Sequence, residues 1–339
     1  MSKKILLTGG LGYIGSHTAV SLIESGYDVV ILDNLSNSRK DVLEKLKKIT
    51  KVMPKFYFGD ARDEGLLIEI LKQNVEAVIH FAGYKSVYDS IKSPIEYYDN
   101  NLNCLIRLID AMNKTGCRNL VFSSSATVYG IENISPLIEN MNMGTCTNPY
   151  GRSKQMTEEI LKDITVSNPE FSAIALRYFN PVGAHPSGLI GEIPRGVPNN
   201  LMPYISGVAS GKYEVLNIYG NDYDTRDGTC IRDFIHVCDL ADGHVKAIEY
   251  ALKNNGFDAI NLGSGNGYSV LEIVKAFEST NNIKINKKFS ERRAGDIAIS
   301  YADIKKANQI LNWGPRYGIE DICRDTWNFE KMMFQDERV

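Results

Sequence analysis

Tyr150-Gly151-Arg152-Ser153-Lys154 sets a phenol and an ammonium four residues apart, which on a helix puts both on one face. A free phenol titrates near pH 10, so only about 0.1% is ionised at neutral pH. A nearby ammonium favours the phenolate by charge attraction. On that reading Lys154 lowers the Tyr150 pKa, and Tyr150 serves as general base toward a substrate hydroxyl. Upstream, Phe122-Ser123-Ser124-Ser125-Ala126-Thr127-Val128-Tyr129 supplies hydroxyls at the end of an apolar run, able to relay protons. The Tyr-x-x-x-Lys spacing is common by itself and takes its meaning from what precedes it.

What precedes it is a glycine turn. Thr8-Gly9-Gly10-Leu11-Gly12-Tyr13-Ile14-Gly15 follows an apolar run and opens a helix, with Gly9, Gly12 and Gly15 three apart. Glycine permits the tight turn, the approach of backbone to a pyrophosphate, and close packing of helix on sheet. The helix start then offers free N–H groups to phosphate oxygens. The next apolar run ends in Asp33-Asn34, an acid 18 residues after Gly15, where an acceptor for a ribose 2′-hydroxyl belongs. A carboxylate there repels a 2′-phosphate, so the pattern favours NAD over NADP. Gly59-Asp60 and Phe81-Ala82-Gly83 end two further runs, at the strand edges where open α/β sheets bind ligands.

The elements that must position these groups alternate. Strands are expected at Lys4–Thr8, Asp28–Leu32, Lys55–Phe58, Ala77–Phe81, Asn119–Ser123 and Phe171–Arg177, with helices at Gly12–Ser25, Lys40–Thr50, Asp63–Gln73, Ile95–Thr115 and Tyr150–Asn168. Continuous apolar strands spaced by helices predict a doubly wound parallel sheet of Rossmann type. After Arg177 the character changes. Residues 180–200 hold four prolines and read as loop, and helices are expected at Leu201–Ser210, Asp239–Leu252, Val270–Glu278 and Ile319–Met332. The division expected is 1–180 for the NAD-binding domain and 181–339 for a smaller mixed α/β substrate lobe.

Composition excludes several classes. The 339 residues carry 38 Lys+Arg against 41 Asp+Glu, a net charge of −3, which lacks the basic footprint of a nucleic-acid binder. The uncharged stretch from Ile5 to Ile23 is broken by four glycines, a poor core for a membrane helix or signal peptide. Six scattered cysteines read as reduced cytoplasmic thiols, and five histidines show no metal-ligand spacing, so no metal is expected.

With these motifs in place, the chain resembles the extended short-chain dehydrogenase/reductase family, and within it the branch of UDP-hexose 4-epimerases. The resemblance rests on the Thr8–His17 glycine turn, His80–Gly83, Tyr97–Asn101, Ser123–Gly130 and Tyr150–Lys154. It continues through Arg177–Pro186, Pro198–Leu201, Arg232-Asp233 and Arg292–Asp296. It implies tightly bound NAD, contacted by Gly9, Gly12, Tyr13, Ile14, Gly15, Asp33, Asn34, Asp60, Ala61, Phe81, Ala82, Gly83, Lys85, Asn100, Ser123, Tyr150, Lys154 and Tyr178. It implies UDP-galactose and UDP-glucose as substrates, held by Ser125, Tyr150, Asn180, Asn200, Leu201, Asn217, Tyr219, Arg232, Arg293, Asp296 and Ser300. Tyr150, relayed by Ser125 and supported by Lys154, would take the 4-hydroxyl proton while hydride leaves C4.

Related dehydratases and decarboxylases carry an acid beside the strand-edge hydroxyl. Ala126 stands there, which argues for oxidation at C4 without elimination. Where hexose-restricted relatives have a gating tyrosine, the alignment puts Ser300, with Tyr301 next. A small residue leaves room for an N-acetyl group, so UDP-GalNAc and UDP-GlcNAc are further candidate substrates. The motifs leave open a UDP-glucuronate 4-epimerase. A binding protein without chemistry would be expected to lose Tyr150 or Lys154, and both are present. The family resemblance also implies a homodimer through helices 95–115 and 150–168.

Overall fold

The structure is a computed structural model that describes residues 2–293 and 295–336. The apolar runs form one parallel sheet. Its strands β1 (Lys4–Thr8), β2 (Asp28–Asp33), β3 (Lys55–Phe58), β4 (Val75–His80), β5 (Asn119–Ser125) and β6 (Ser172–Tyr178) lie within two residues of expectation. Between them run α1 (Tyr13–Glu24), α2 (Val42–Thr50), α3 (Glu64–Leu71), a short α4 (Val87–Lys92), α5 (Pro94–Thr115) and α6 (Pro149–Ser167). The strand pleat sorts side chains to two cores. Ile5 and Leu7 of β1 join Leu22 of α1 and Leu46 of α2, whereas Leu6 joins Leu67 of α3, Leu108 of α5 and Leu161 of α6.

The second half holds β7 (Asn180–Val182), α7 (Leu201–Ala209), β8 (Leu216–Tyr219), β9 (Ile231–His236), α8 (Val237–Ala251), β10 (Gly256–Leu262) and β11 (Gly267–Ser269). It ends with α9 (Val270–Asn281), β12 (Lys287–Ser290), β13 (Ile299–Ser300), α10 (Lys305–Leu311) and α11 (Ile319–Asp336). Here the expected division at residue 180 needs correction. The main sheet runs β10-β6-β5-β4-β1-β2-β3, so its seventh strand comes from 256–262. Leu240 and Ile248 of α8 pack in the core shared with α1. The reason is the open edge of β6: β10 pairs with it over Ser172–Tyr178 and covers an otherwise bare, fully buried strand. The first lobe is therefore discontinuous in sequence.

The smaller lobe is a β9-centred sheet with β7, β11 and β13, a β8–β12 pair, and helices α7, α9 and α11 over a core that includes Met202, Phe234 and Phe277. In the main sheet the strand order reverses between β1 and β4, which opens a crevice at their C-terminal ends. No described helix is long and apolar enough to cross a membrane.

Candidate active site

The crevice is lined by backbone. Gly9 lies at φ +70°, and a Cβ on it would stand 2.9 Å from the Ala82 nitrogen at the end of β4. A Cβ on Gly15 would stand 2.6 Å from the Gly9 carbonyl oxygen. Gly12 caps α1 with no side-chain hydrogen bond, and no acid sits in the first turn, so the turn's N–H groups suit an anion. Asp33, buried at the end of β2, accepts from Leu11 N (3.0 Å), Leu35 N (2.9 Å) and the Ser38 hydroxyl (2.7 Å). Asn34 donates to Asp60 at 3.3 Å, and the Arg62 guanidinium on Asp60 holds that carboxyl down near 2. Buried Ala61 follows it. Phosphate-ready amides between two acids fit a dinucleotide.

Other residues expected at NAD fall around the same crevice. Ile14 packs against the α1 core, and the Tyr13 hydroxyl donates to the Gly183 carbonyl at 2.7 Å. Phe81 stacks obliquely on His244, 4.9 Å between centroids. His244 Nδ1 donates to the Leu240 carbonyl (2.8 Å), so its Nε2 accepts from the Tyr178 hydroxyl. Burial pushes the Tyr178 phenol well up and His244 down to about 4. Asn100 is buried and donates to Asn101 Oδ1 at 3.1 Å, which also takes Tyr84 N beside Gly83. Lys85 Nζ sits on Glu192 Oε1 at 2.9 Å.

Tyr150 and Lys154 share the first turns of α6, which Asn148 starts by accepting Gly151 N at 2.9 Å. Lys154 Nζ donates to the Ser123 carbonyl at 2.6 Å and lies 5.7 Å from the Tyr150 ring centroid. The Ser125 hydroxyl acts to lower the Tyr150 pKa and accepts from Thr127 N (3.2 Å) and its hydroxyl (3.0 Å). The expected lowering of the Tyr150 pKa does not hold for the chain's own groups. Burial pushes the phenol up to about 12, outweighing the lowering by Ser125, with Tyr97 adding to the rise. The same burial pushes Lys154 down to about 8, opposed by Glu158. Desolvation exceeds pair attraction, so the phenolate needs a further positive charge in the cleft.

On the smaller lobe, Asn217 and Tyr219 alternate with buried Leu216 and Ile218 along β8. The Arg293 guanidinium lies 3.9 Å from the Tyr219 ring centroid and donates to the Asn199 carbonyl at 3.4 Å. Arg232 on β9 approaches Asp296 at 3.9 Å and donates to the Ile231 carbonyl at 2.9 Å. Exposed Asn180 opens β7. Asn200 caps α7 ahead of Leu201 and donates to Glu192 at 3.1 Å. Ser300 pairs with Arg232 and shares its face, while Tyr301 turns its ring onto Gly267 in the next row. A Cβ on Gly295 would lie 3.8 Å from Thr147 Oγ1, so Gly295 borders the start of α6. Among the described residues no His/Cys/Asp/Glu group could hold a metal ion.

Sequence reasoning missed Glu192, which joins Lys85 of one lobe to Asn200 of the other; nothing in its spacing marks it. It also missed Thr127, whose two bonds orient the Ser125 hydroxyl.

The model of the NAD dependent epimerase/dehydratase family matches residues 5–263. A UDP-glucose 4-epimerase of Bacillus subtilis (strain 168) is 53% identical over 327 residues, covering 96% of each chain. One of Pasteurella multocida (strain Pm70) is 54% identical over 96% of this chain and 97% of its own. Among solved structures, UDP-glucose-4-epimerase from Stenotrophomonas maltophila, with bound NAD and formylated UDP-arabinopyranose, superposes with a TM-score of 0.97. It is 44% identical and covers 98% of this chain and 99% of its own. The enzyme from Bifidobacterium longum, in complex with NAD+ and UDP, gives 0.94 at 46% identity over 97% and 98%. A glycine crevice, a Tyr–Lys helix start and a family match along most of the length agree: the chain belongs to the NAD dependent epimerase/dehydratase family.

Proposed function

We propose that this protein interconverts UDP-galactose and UDP-glucose at C4 by reversible oxidation. The observation that carries it is Tyr150, Ser125 and Lys154 converging at the end of β5, bordered by Gly295 of the other lobe. NAD, when bound over Gly9–Gly15 between Asp33 and Lys85, supplies a reversible hydride acceptor. Ser125 and Tyr150 take the 4-hydroxyl proton and later return it. Lys154, fixed by the Ser123 carbonyl, holds positive charge beside the phenol. Ala126 offers no acid, so water is not eliminated. Arg232 and Arg293 suit a pyrophosphate, and Asn217 and Tyr219 suit the uridine side. Anchoring the nucleotide and not the hexose lets the sugar present both faces.

Incubating the protein with UDP-galactose tests this, with UDP-glucose as the readout. Tyr150→Phe should lower kcat at least ~1,000-fold while UDP affinity stays within about threefold. No product from the unaltered protein, even with NAD supplied, would overturn the reading.

The Ser300 geometry favours a wider substrate range. Ser300 is small and shares the Arg232 face, and Tyr301 points elsewhere, so UDP-GalNAc and UDP-GlcNAc fit as further substrates. A UDP-Glc/GlcNAc 4-epimerase from Campylobacter jejuni is 36% identical, with a TM-score of 0.85. Turnover of UDP-GalNAc below roughly a thousandth of that of UDP-galactose contradicts the wider range; Ser300→Tyr should reduce UDP-GalNAc turnover selectively. Exposed Ile95 and Ile106 of α5 and Met156 and Val166 of α6 suit a homodimer through these helices, checked by light scattering. Six free cysteines suit the cytoplasm.

A further inference from the structure

Glu158 follows Lys154 by four residues and Tyr150 by eight, so all three stand on one face of α6. Its side chain is fully buried. Oε1 accepts from Arg177 Nε at 3.1 Å and from the Ser124 hydroxyl at 2.5 Å, and Oε2 accepts from Arg177 Nη2 at 2.7 Å. Arg177, on β6, is itself buried, lies over the Tyr129 ring at 4.8 Å and donates to the Glu139 carbonyl at 3.3 Å. Burying two charges costs several kcal/mol per ion, and apolar residues of similar volume often serve stability as well. The pair therefore calls for a role beyond filling space.

Its neighbours point to one. Ser124 stands between Ser123, whose carbonyl takes Lys154 Nζ at 2.6 Å, and Ser125, which acts on the Tyr150 phenol. One carboxylate thus ties the strand end that contacts both reacting groups to the helix that carries them. The other groups around Lys154 and Tyr150 bring no negative charge at neutral pH. His80 from β4 is pushed down to about 3, while Tyr150 on α6, Tyr97 on α5 and Tyr178 on β6 are all pushed up. Phe122 from β5 offers Lys154 a ring face at 4.7 Å. Among the described residues, Glu158 is the negative charge that acts on Lys154.

We propose that Glu158 is a positioning residue for this site: its buried charge keeps Lys154 an ammonium, and its bond to Ser124 sets the β5 end against α6. Arg177 holds the Glu158 carboxylate in place with two hydrogen bonds. The proposal rests on the epimerase reading, because Lys154 matters to turnover only where Tyr150 moves the substrate proton.

Two substitutions separate charge from shape. Glu158→Gln keeps the shape and loses the charge; Glu158→Asp keeps the charge and loses reach. The Lys154 titration is read directly by NMR of the NAD-loaded full chain carrying ¹³C-labelled lysine, the signal being assigned with Lys154→Met. The alkaline fall of kcat on UDP-galactose is measured in parallel. Glu158→Gln should move both downward by about one pH unit, and Glu158→Asp should restore most of the difference. If Glu158→Gln does not fold, Glu158→Met with Arg177→Met leaves no charge unpaired and should shift Lys154 in the same direction. A Lys154 titration that stays in place in a folded, charge-free variant overturns the proposal, even if activity falls. A shifted titration in a protein that never turns over UDP-galactose upholds Glu158's hold on Lys154 and removes the epimerase reading.

Discussion

The crevice above β1 and β4 and the face of β8 and β9 are built from different materials. In the crevice, Gly9 and Gly15 bring backbone to within a few ångströms of backbone, and a single added methyl meets fixed atoms at 2.9 and 2.6 Å. On the other face the work falls to side chains. Arg293 is exposed on the Tyr219 ring, and Arg232 rests on carbonyl oxygens at 2.9 and 3.4 Å. The first surface tolerates no adjustment. The second can adapt. That contrast suits a reaction in which the cofactor stays and the hexose must turn over.

The contrast breaks most visibly at Gly15. Gly15→Ala has no flexible neighbour to displace, so purified protein should retain at least ~10-fold less NAD and melt several degrees lower. Wild-type NAD content, read from absorbance after denaturation, would show that the crevice yields after all.

Acid should weaken the first lobe before the second. Burial pushes His17 and His80 to about 3 and His244 to about 4, all three in elements of the main sheet and its helices. Their folded pKa values lie below the unfolded value near 6.5, so the unfolded chain binds more protons between those limits. Stability is full above about pH 6.5 and falls as pH drops, by on the order of 2 kcal/mol per histidine at pH 5. Urea midpoints should decline over that range, with amide exchange rising first in α1, β4 and α8. A flat profile from pH 7 to 5 contradicts this.

The smallest effect belongs to the adaptable face. Arg293→Met should raise KM for UDP-galactose about 10-fold, leave kcat within about threefold, and leave NAD content unchanged. Loss of NAD from this variant would mean that the two surfaces are not independent.

How much of this was legible in the sequence follows the same line. Strands β1, β2 and β4 were readable because they are mostly buried and apolar, and β5 and β6 through their apolar runs Leu120–Phe122 and Ala173–Leu176. The half-exposed edge strand β3 was readable through its β-forming aromatic residues. β10 was not: Gly256–Leu262 contains an aspartate and an asparagine, and it reaches β6 only after the chain has left and returned. The two- to four-residue strands β7, β8, β11, β12 and β13 are too short to show a period. Tyr150 and Lys154 announced themselves by spacing, but the direction of the Tyr150 shift did not, because desolvation depends on what the fold lays over the phenol. The nucleotide face was visible only through family resemblance, since Arg232 and Arg293 are far apart in sequence and unremarked by local pattern. Glu192 and Glu158 left no signal beyond one helical spacing.

The central claim is that hydrogen leaves C4 and returns to it without leaving the protein. UDP-galactose carrying deuterium at C4, incubated with the purified protein and no added NAD, tests it directly. UDP-glucose that keeps its deuterium at C4 is the predicted result. Washout of the label into solvent, or product formed only in proportion to added NAD, would contradict it.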